Sequence, residues 1–198
     1  SCATVTPNDV AVAQDGTLYI AEDDNKRISR ITPDGVITTF VGGGDRWKED
    51  ADGHPALEAD LFQPQAVALG PDGSVYFIDN GVEFTDPAVR VVGPDGIVRT
   101  VAGDAYRSES EAGFGGDGGP GTKAELNNPA DIDAGPDGVL YIADTFNNRV
   151  RALDPAGTIT TFAGTGERAD SGDGGAPAKA AVEEPSSVAV GADGSVQV

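Results

Sequence analysis

Short apolar runs alternate with polar, glycine-marked breaks along the whole chain, and within the runs the apolar positions tend to recur at every second residue. That period sends successive side chains to opposite faces of a strand. The strand candidates come in sets of four. The first of each set covers Val10–Ala13, Ala66–Leu69, Asp131–Ala134 and Val188–Val190. The second covers Leu18–Ala21, Val75–Ile78 and Leu140–Ala143, and the third Ile28–Ile31, Val89–Val92 and Val150–Leu153. The fourth, rich in β-branched residues, covers Val36–Val41, Ile97–Val101 and Thr158–Phe162. Asp-Gly pairs at Asp15-Gly16, Asp72-Gly73, Asp137-Gly138 and Asp193-Gly194 separate first from second strands. Such a pair is a hairpin signal, because glycine accepts the positive φ that a tight turn needs. No segment keeps a helical period, apart from single turns near Ala56–Leu61 and Thr122–Leu126.

The sets are copies of one another. They open at Pro7, Pro64, Pro129 and Pro185, and span about 7–43, 64–104, 129–165 and, in part, 185–198. One four-stranded sheet with two apolar faces cannot bury either face alone, whereas copies packed radially cover each other. The expected fold is therefore all-β: a single β-propeller segment of four-stranded antiparallel blades, with about three blades and the start of a fourth.

Composition narrows the function classes. The 198 residues carry 33 acidic and 13 basic side chains, a formal charge of −20. Such a surface repels nucleic acid and anionic lipid, and no apolar run approaches the length that spans a bilayer. Cys2 is the one cysteine, which excludes an internal disulfide, and His54 is the one histidine, which excludes a three-histidine zinc site within the chain. Cys2 reads as a lipid-attachment residue or as an incidental thiol. No nucleophile elbow or Walker-type phosphate loop occurs, and "GFGGDGG" lacks the lysine and helix that would give it meaning.

Two groups of polar residues stand out. Glu22, Asn25, Lys26 and Arg27 occupy the positions of Asp144, Asn147, Asn148 and Arg149, and in the second unit Asp79 and Arg90 keep the ends around an insertion containing Glu83 and Asp86. An acid ending one strand can accept a charge-assisted hydrogen bond from an arginine opening the next, while Asn tolerates the left-handed turn between them. Recurrence in every unit favours a turn brace. The competing reading makes Glu22, Asn25, Arg27, Asp79, Arg90, Asp144, Asn147 and Arg149 a ligand-binding rim at the channel mouth. Asp79, Glu83 and Asp86 form an acidic loop that could hold a hard cation such as Ca²⁺. The spacers between units each carry an Asp-Gly step, at Asp52-Gly53, Asp117-Gly118 and Asp173-Gly174, readable as cation loops or as turns wrapping between blades. Trp47 with Arg46 and Lys48 reads as a partner contact or as a cover for a blade edge.

The stretches "LYIADTFNNRV" and "TITTFAG", repeated in looser form in the other units, and the spacer "GFGGDGGPGTKAEL" resemble the NHL-repeat family, in the variety found in bacterial NHL proteins and teneurins. The resemblance implies a propeller that usually closes with six blades, and it leaves function open among binding platforms, sensors, lyases and hydrolases. The leading expectation is a non-enzymatic binding or scaffolding module presenting a propeller face to a protein or small ligand, in an extracellular or cell-envelope setting. A metal-dependent hydrolase or lyase with its pocket at the channel mouth is the alternative. A shortened or engineered repeat fragment is another. Open blade edges point to a protein partner or to self-association, including a homodimer that completes a six-bladed ring.

Overall fold

The structure, a computed structural model, describes residues 7–46, 51–81, 87–103 and 113–198. Strands β1 (Asp9–Val12), β2 (Leu18–Glu22), β3 (Arg27–Ile31) and β4 (Ile37–Gly42) form one antiparallel meander. Strands β5 (Pro64–Leu69), β6 (Val75–Asp79), β7 (Ala88–Val92) and β8 (Val98–Ala102) form the second. In the third, β10 (Asp131–Ala134), β11 (Leu140–Asp144), β12 (Arg149–Leu153) and β13 (Thr158–Ala163) are joined at the outer edge by β9 (Gly119–Pro120). A two-stranded sheet, β14 (Ala189–Val190) and β15 (Val196–Gln197), follows. The chain is thus a β-propeller array of four-stranded blades, with the strand order anticipated from the alternation.

The first strands β1, β5, β10 and β14 lie side by side along the inner wall. Period-2 alternation then sends each blade's two faces into different cores. Phe77, Val92 and Val98 face Ala21, Ile28 and Val41 of the first blade, while Ile78, Val89 and Ala102 face Ile132, Leu140 and Ile159 of the third. Ala143, Val150 and Ala163 pack against Val188 of the fourth sheet. The spacers seal these layers from outside: Ala56 and Leu61 enter the first core, and Ala124 and Leu126 the second.

Each spacer makes one 3₁₀ turn, at Ala56–Glu58, Gly121–Lys123 and Pro177–Lys179. The second spacer also contributes β9, an extra edge strand that alternation alone does not announce, because two residues are too few to show a period. A second feature beyond the sequence pattern is a register shift between third and fourth strands, repeated at Ile28/Ser29, Val89/Arg90 and Val150/Arg151. Such bulges re-aim a side chain.

A glycine with positive φ ends β4 and directly follows β8 and β13: Gly42 (98°), Gly103 (89°) and Gly164 (95°). A Cβ at Gly42 would lie 2.7 Å from the Lys26 carbonyl oxygen, and Gly103 and Gly164 crowd the corresponding carbonyls of Pro87 and Asn148. Gly164→Ala is expected to lower stability by roughly 2–4 kcal/mol in urea denaturation, through the disfavoured φ and this clash together.

Candidate functional site

The turns singled out in the sequence lead into the blade interior. Glu22, Asp79 and Asp144 end their second strands fully buried. Glu22 is closed within its own blade. Asn25 Nδ2 donates to Oε2 (2.6 Å), Arg27 Nε to Oε1 (3.1 Å), and the Ser29 hydroxyl also donates to Oε1. Burial raises the Glu22 pKa, but the hydrogen bonds from Arg27, Ser29 and Asn25 outweigh it and hold the carboxyl below its ordinary value.

The third blade departs from the expected pairing. Asp144 and Arg149 are cross-strand neighbours, yet Arg149 donates to the carbonyls of Asn147 (2.9 Å) and Thr165 (2.6 Å) and stacks over Phe114, with 3.7 Å from its guanidinium carbon to the ring centre. The cation on Asp144 is Arg151, at 3.2 Å with both side chains fully buried. One methylene shorter than glutamate, aspartate keeps its carboxylate inside the blade, within reach of Arg151 on the neighbouring strand. Asn147 Nδ2 (2.9 Å) and the Asn127 N–H (2.8 Å) donate to the same carboxylate. Asn148 takes the left-handed conformation with φ 52°, as Lys26 does with φ 51°.

The second blade corrects the alignment further. Asp79 stands opposite Ala88, so Arg90 corresponds in register to Arg151 and Ser29, two residues beyond Arg149 and Arg27. Asp79 Oδ1 accepts from the N–H groups of Phe62 (3.0 Å) and Gln63 (2.9 Å). Its companions in the acidic loop, Glu83 and Asp86, lie outside the described residues, as do Cys2, Trp47 and Lys48. Among the described residues no group of three His, Cys, Asp or Glu is arranged to hold a metal ion.

The spacer Asp-Gly steps explain the buried arginines. Arg90 Nη2 donates to Asp52 (3.0 Å), which also accepts from the Thr100 N–H (2.9 Å) and hydroxyl (3.2 Å). Arg151 Nη2 donates to Asp117 (2.7 Å), whose other oxygen accepts from the Thr161 hydroxyl (2.6 Å). Burial raises Asp117, but Thr161 and Arg151 together bring it below its usual value. Arg151 thus bridges two carboxylates, one from its own blade and one from the spacer entering it. Sequence reading passed over Arg151, although an arginine at an inward position of "VRAL", with a threonine ten residues on, repeats Arg90 and Thr100.

A second polar set lines the inner wall. Asp9, Asp131 and Asp133 border a groove of about 420 Å³ with Val10, Val67 and Val188. Each carboxylate caps backbone amides. Asp9 accepts from Val10 (2.7 Å) and Val67 (2.8 Å), Asp131 from Ile132 (2.9 Å) and Val188 (2.8 Å), and Asp133 from Ala134 (2.8 Å) and Val190 (2.8 Å). Burial raises the Asp131 pKa despite these donors, and the nearby Asp9 charge adds to the rise. Polar residues at alternate positions of an apolar first strand were the available signal.

No family model matches the chain. Teneurin-4 of Homo sapiens is 30% identical over 218 residues, covering 99% of the chain. The virginiamycin B lyase of Staphylococcus aureus, in its selenomethionine-substituted crystal structure, superposes with a TM-score of 0.53 at 18% identity over 96% of the chain. The chain is an NHL-repeat β-propeller. An auxiliary nutrient binding protein of Bacteroides thetaiotaomicron shares the propeller fold at TM-score 0.60, with 18% identity over 94% of the chain. This NHL segment spans 8% of teneurin-4, and 47% and 43% of the two solved chains. The NHL propeller supports a binding or scaffolding module at a coarse level and selects no chemistry.

Two variants probe the brace. Arg151→Met leaves the buried Asp144 without its cation and Asp117 without its anchor, so a loss of about 3–5 kcal/mol is expected. Adding Asp144→Asn should return part of that loss, as read by a double-mutant cycle in urea. The pH dependence carries its own signature. Burial pushes the Asp144 carboxyl from 3.8 up to about 6, against the opposing hydrogen bonds of Asn147, Asn127 and Arg151. The folded state then binds the proton more tightly than the unfolded chain. Stability from this group is fully present below pH 3.8 and is lost as pH rises through about 6. Wild type minus Asp144→Asn should show that decline from pH 3.8 to about 6. A flat difference would contradict the shift.

Proposed function

We propose that this segment is a non-enzymatic binding module whose inner wall presents carboxylates to a cationic group on a protein or small ligand. The observation carrying this reading is the set Asp9, Asp131 and Asp133. Their charges meet only backbone amides and the Ser187 hydroxyl, with no ion pair to any of the three among the described residues. Hydrogen bonds from neutral amides leave the negative charge in place, and a concave wall concentrates its field. Val10 and Val12, 51% and 63% exposed, add apolar surface beside the carboxylates, suited to the methylene stem of a lysine-like group. The binding protein among the structural neighbours agrees with this reading. An extracellular or cell-envelope setting goes with it. The rim residues Asn25, Arg27, Asn147 and Arg149 serve the module by holding its turns.

A lysine hexapeptide titrated into the protein should shift the amide resonances of β1 and β10, and full N-acetylation of the peptide should abolish the shifts. Asp133→Asn should weaken binding by about fivefold while the fold persists, since an asparagine oxygen can still accept one amide. Equal binding of the acetylated peptide would overturn the reading. Calcium at about millimolar concentration is expected to leave the melting temperature unchanged. A rise would instead place a cation site on the folded protein.

A further inference from the structure

Each fourth strand carries one residue that its register with the third strand skips: Phe40 in β4, Val101 in β8 and Phe162 in β13. The second strands carry a tyrosine at one shared register position, Tyr19, Tyr76 and Tyr141, opposite Arg30, Val91 and Ala152. In the first and third blades the two positions close on each other. The rings of Tyr19 and Phe40 meet edge to face with centroids 4.9 Å apart, and those of Tyr141 and Phe162 do the same at 4.9 Å. Tyr19 and Phe40 pack against the first core, and Tyr141 and Phe162 against the third. Tyr76 and Val101 lie in the same way against the second core, but valine brings no ring.

The place of the missing ring is a cleft. Between the second and third blades a space of about 340 Å³ is bordered by Tyr76 and Val101 on one side and by Leu140 and Leu153 on the other. The two leucines are buried and make an apolar floor, whereas half-buried Thr122 and exposed Asp154 give the lining a polar edge. Asp154 Oδ1 accepts the Thr158 N–H (2.8 Å), a neutral partner that leaves its charge in place.

We infer that this cleft is a binding site for a single aromatic ring carrying a hydrogen-bond donor, seated against Tyr76 where the first and third blades place a phenylalanine of their own. The molecule supplies the precedent for the occupant: twice the same tyrosine position takes a phenyl ring edge to face, an arrangement favoured because a positive ring edge meets a negative ring face. Size agrees with it. An apolar cavity of about 150 Å³ is enough to hold benzene, so this cleft admits a ring together with a polar substituent. The donor on that substituent finds Asp154 and the Thr122 hydroxyl at the polar edge, and the carboxylate there disfavours an anionic ring. The site uses none of the inner-wall carboxylates and stands apart from the cationic-group reading.

Phenol is the probe, titrated into the intact chain and followed by the ring resonances of Tyr76 and the methyl resonances of Leu140 and Leu153. Saturable shifts with a dissociation constant on the order of 1 mM are expected, within what so small a ligand can reach. Cyclohexanol, similar in size but without the ring electrons, should bind about fivefold more weakly. Val101→Phe should abolish the shifts and raise the melting temperature, because the chain then fills the place itself. Phe40→Val should add a second set of shifts, at Tyr19. Absence of saturable shifts at about 10 mM phenol would overturn the inference. So would shifts that persist in Val101→Phe, cyclohexanol binding as tightly as phenol, or Phe40→Val showing no response at Tyr19.

Discussion

The buried guanidinium is the group around which each complete junction is organised. Arg90 and Arg151 are wholly enclosed, and an unpaired charge in that position would be severely destabilising. Arg151 is satisfied only when two parts of the chain are in place together: the carboxylate ending β11 and the Asp117 turn of the preceding spacer. The spacer cannot drift without stranding the arginine, and the arginine cannot leave without stranding Asp144. Hydrophobic layers between blades supply the bulk of the cohesion but little direction. Apolar faces of short strands would tolerate some sliding, and a two-carboxylate clamp tolerates almost none. Register and spacing between blades are therefore set by charge, on a background of apolar burial.

The inner wall meets a different difficulty with the same residue type. First strands are sheet edges, and their outward amides would be free to recruit other strands. Asp9, Asp131 and Asp133 close several of those amides with side-chain oxygens, each reaching an amide of the next blade. Ala66 and Ala68 hold the corresponding places in β5, so the second blade gives no such cap to the third, and Asp131 and Asp133 turn back to the amides of Ile132 and Ala134. An acidic composition that first reads as mere solubility is thus divided between edge capping and turn bracing. The charge left over on the inner wall is what the proposed seat for a cationic group draws on.

The fold was readable in the sequence because its signals are local. Alternation, Asp-Gly turns and the recurring prolines each act over a few residues, and together they imply four-strand units that need neighbours. The clamp was harder to read because its three members lie far apart in the chain, with Asp117 34 residues before Arg151. Arg149 misled for a local reason. It directly faces Asp144 across the hairpin, whereas the arginine that reaches the carboxylate is Arg151, two residues further along the same face of the strand. The second blade's insertion likewise hid that Arg90 is the counterpart of Arg151. The Asp-Gly steps were noticed as turns, but nothing near them in the sequence says that their carboxylates are partners for a distant strand.

Ser29 has a consequence for the array as a whole. The first blade has serine where the others have arginine, and Glu22 is saturated by Ser29, Asn25 and Arg27 from its own blade. That turn is therefore held without any spacer carboxylate, whereas the Arg151 brace of the third blade needs Asp117 as well as Asp144. One serine in place of an arginine makes the difference between a blade whose turn is self-contained and one whose turn is tied to the segment that enters it.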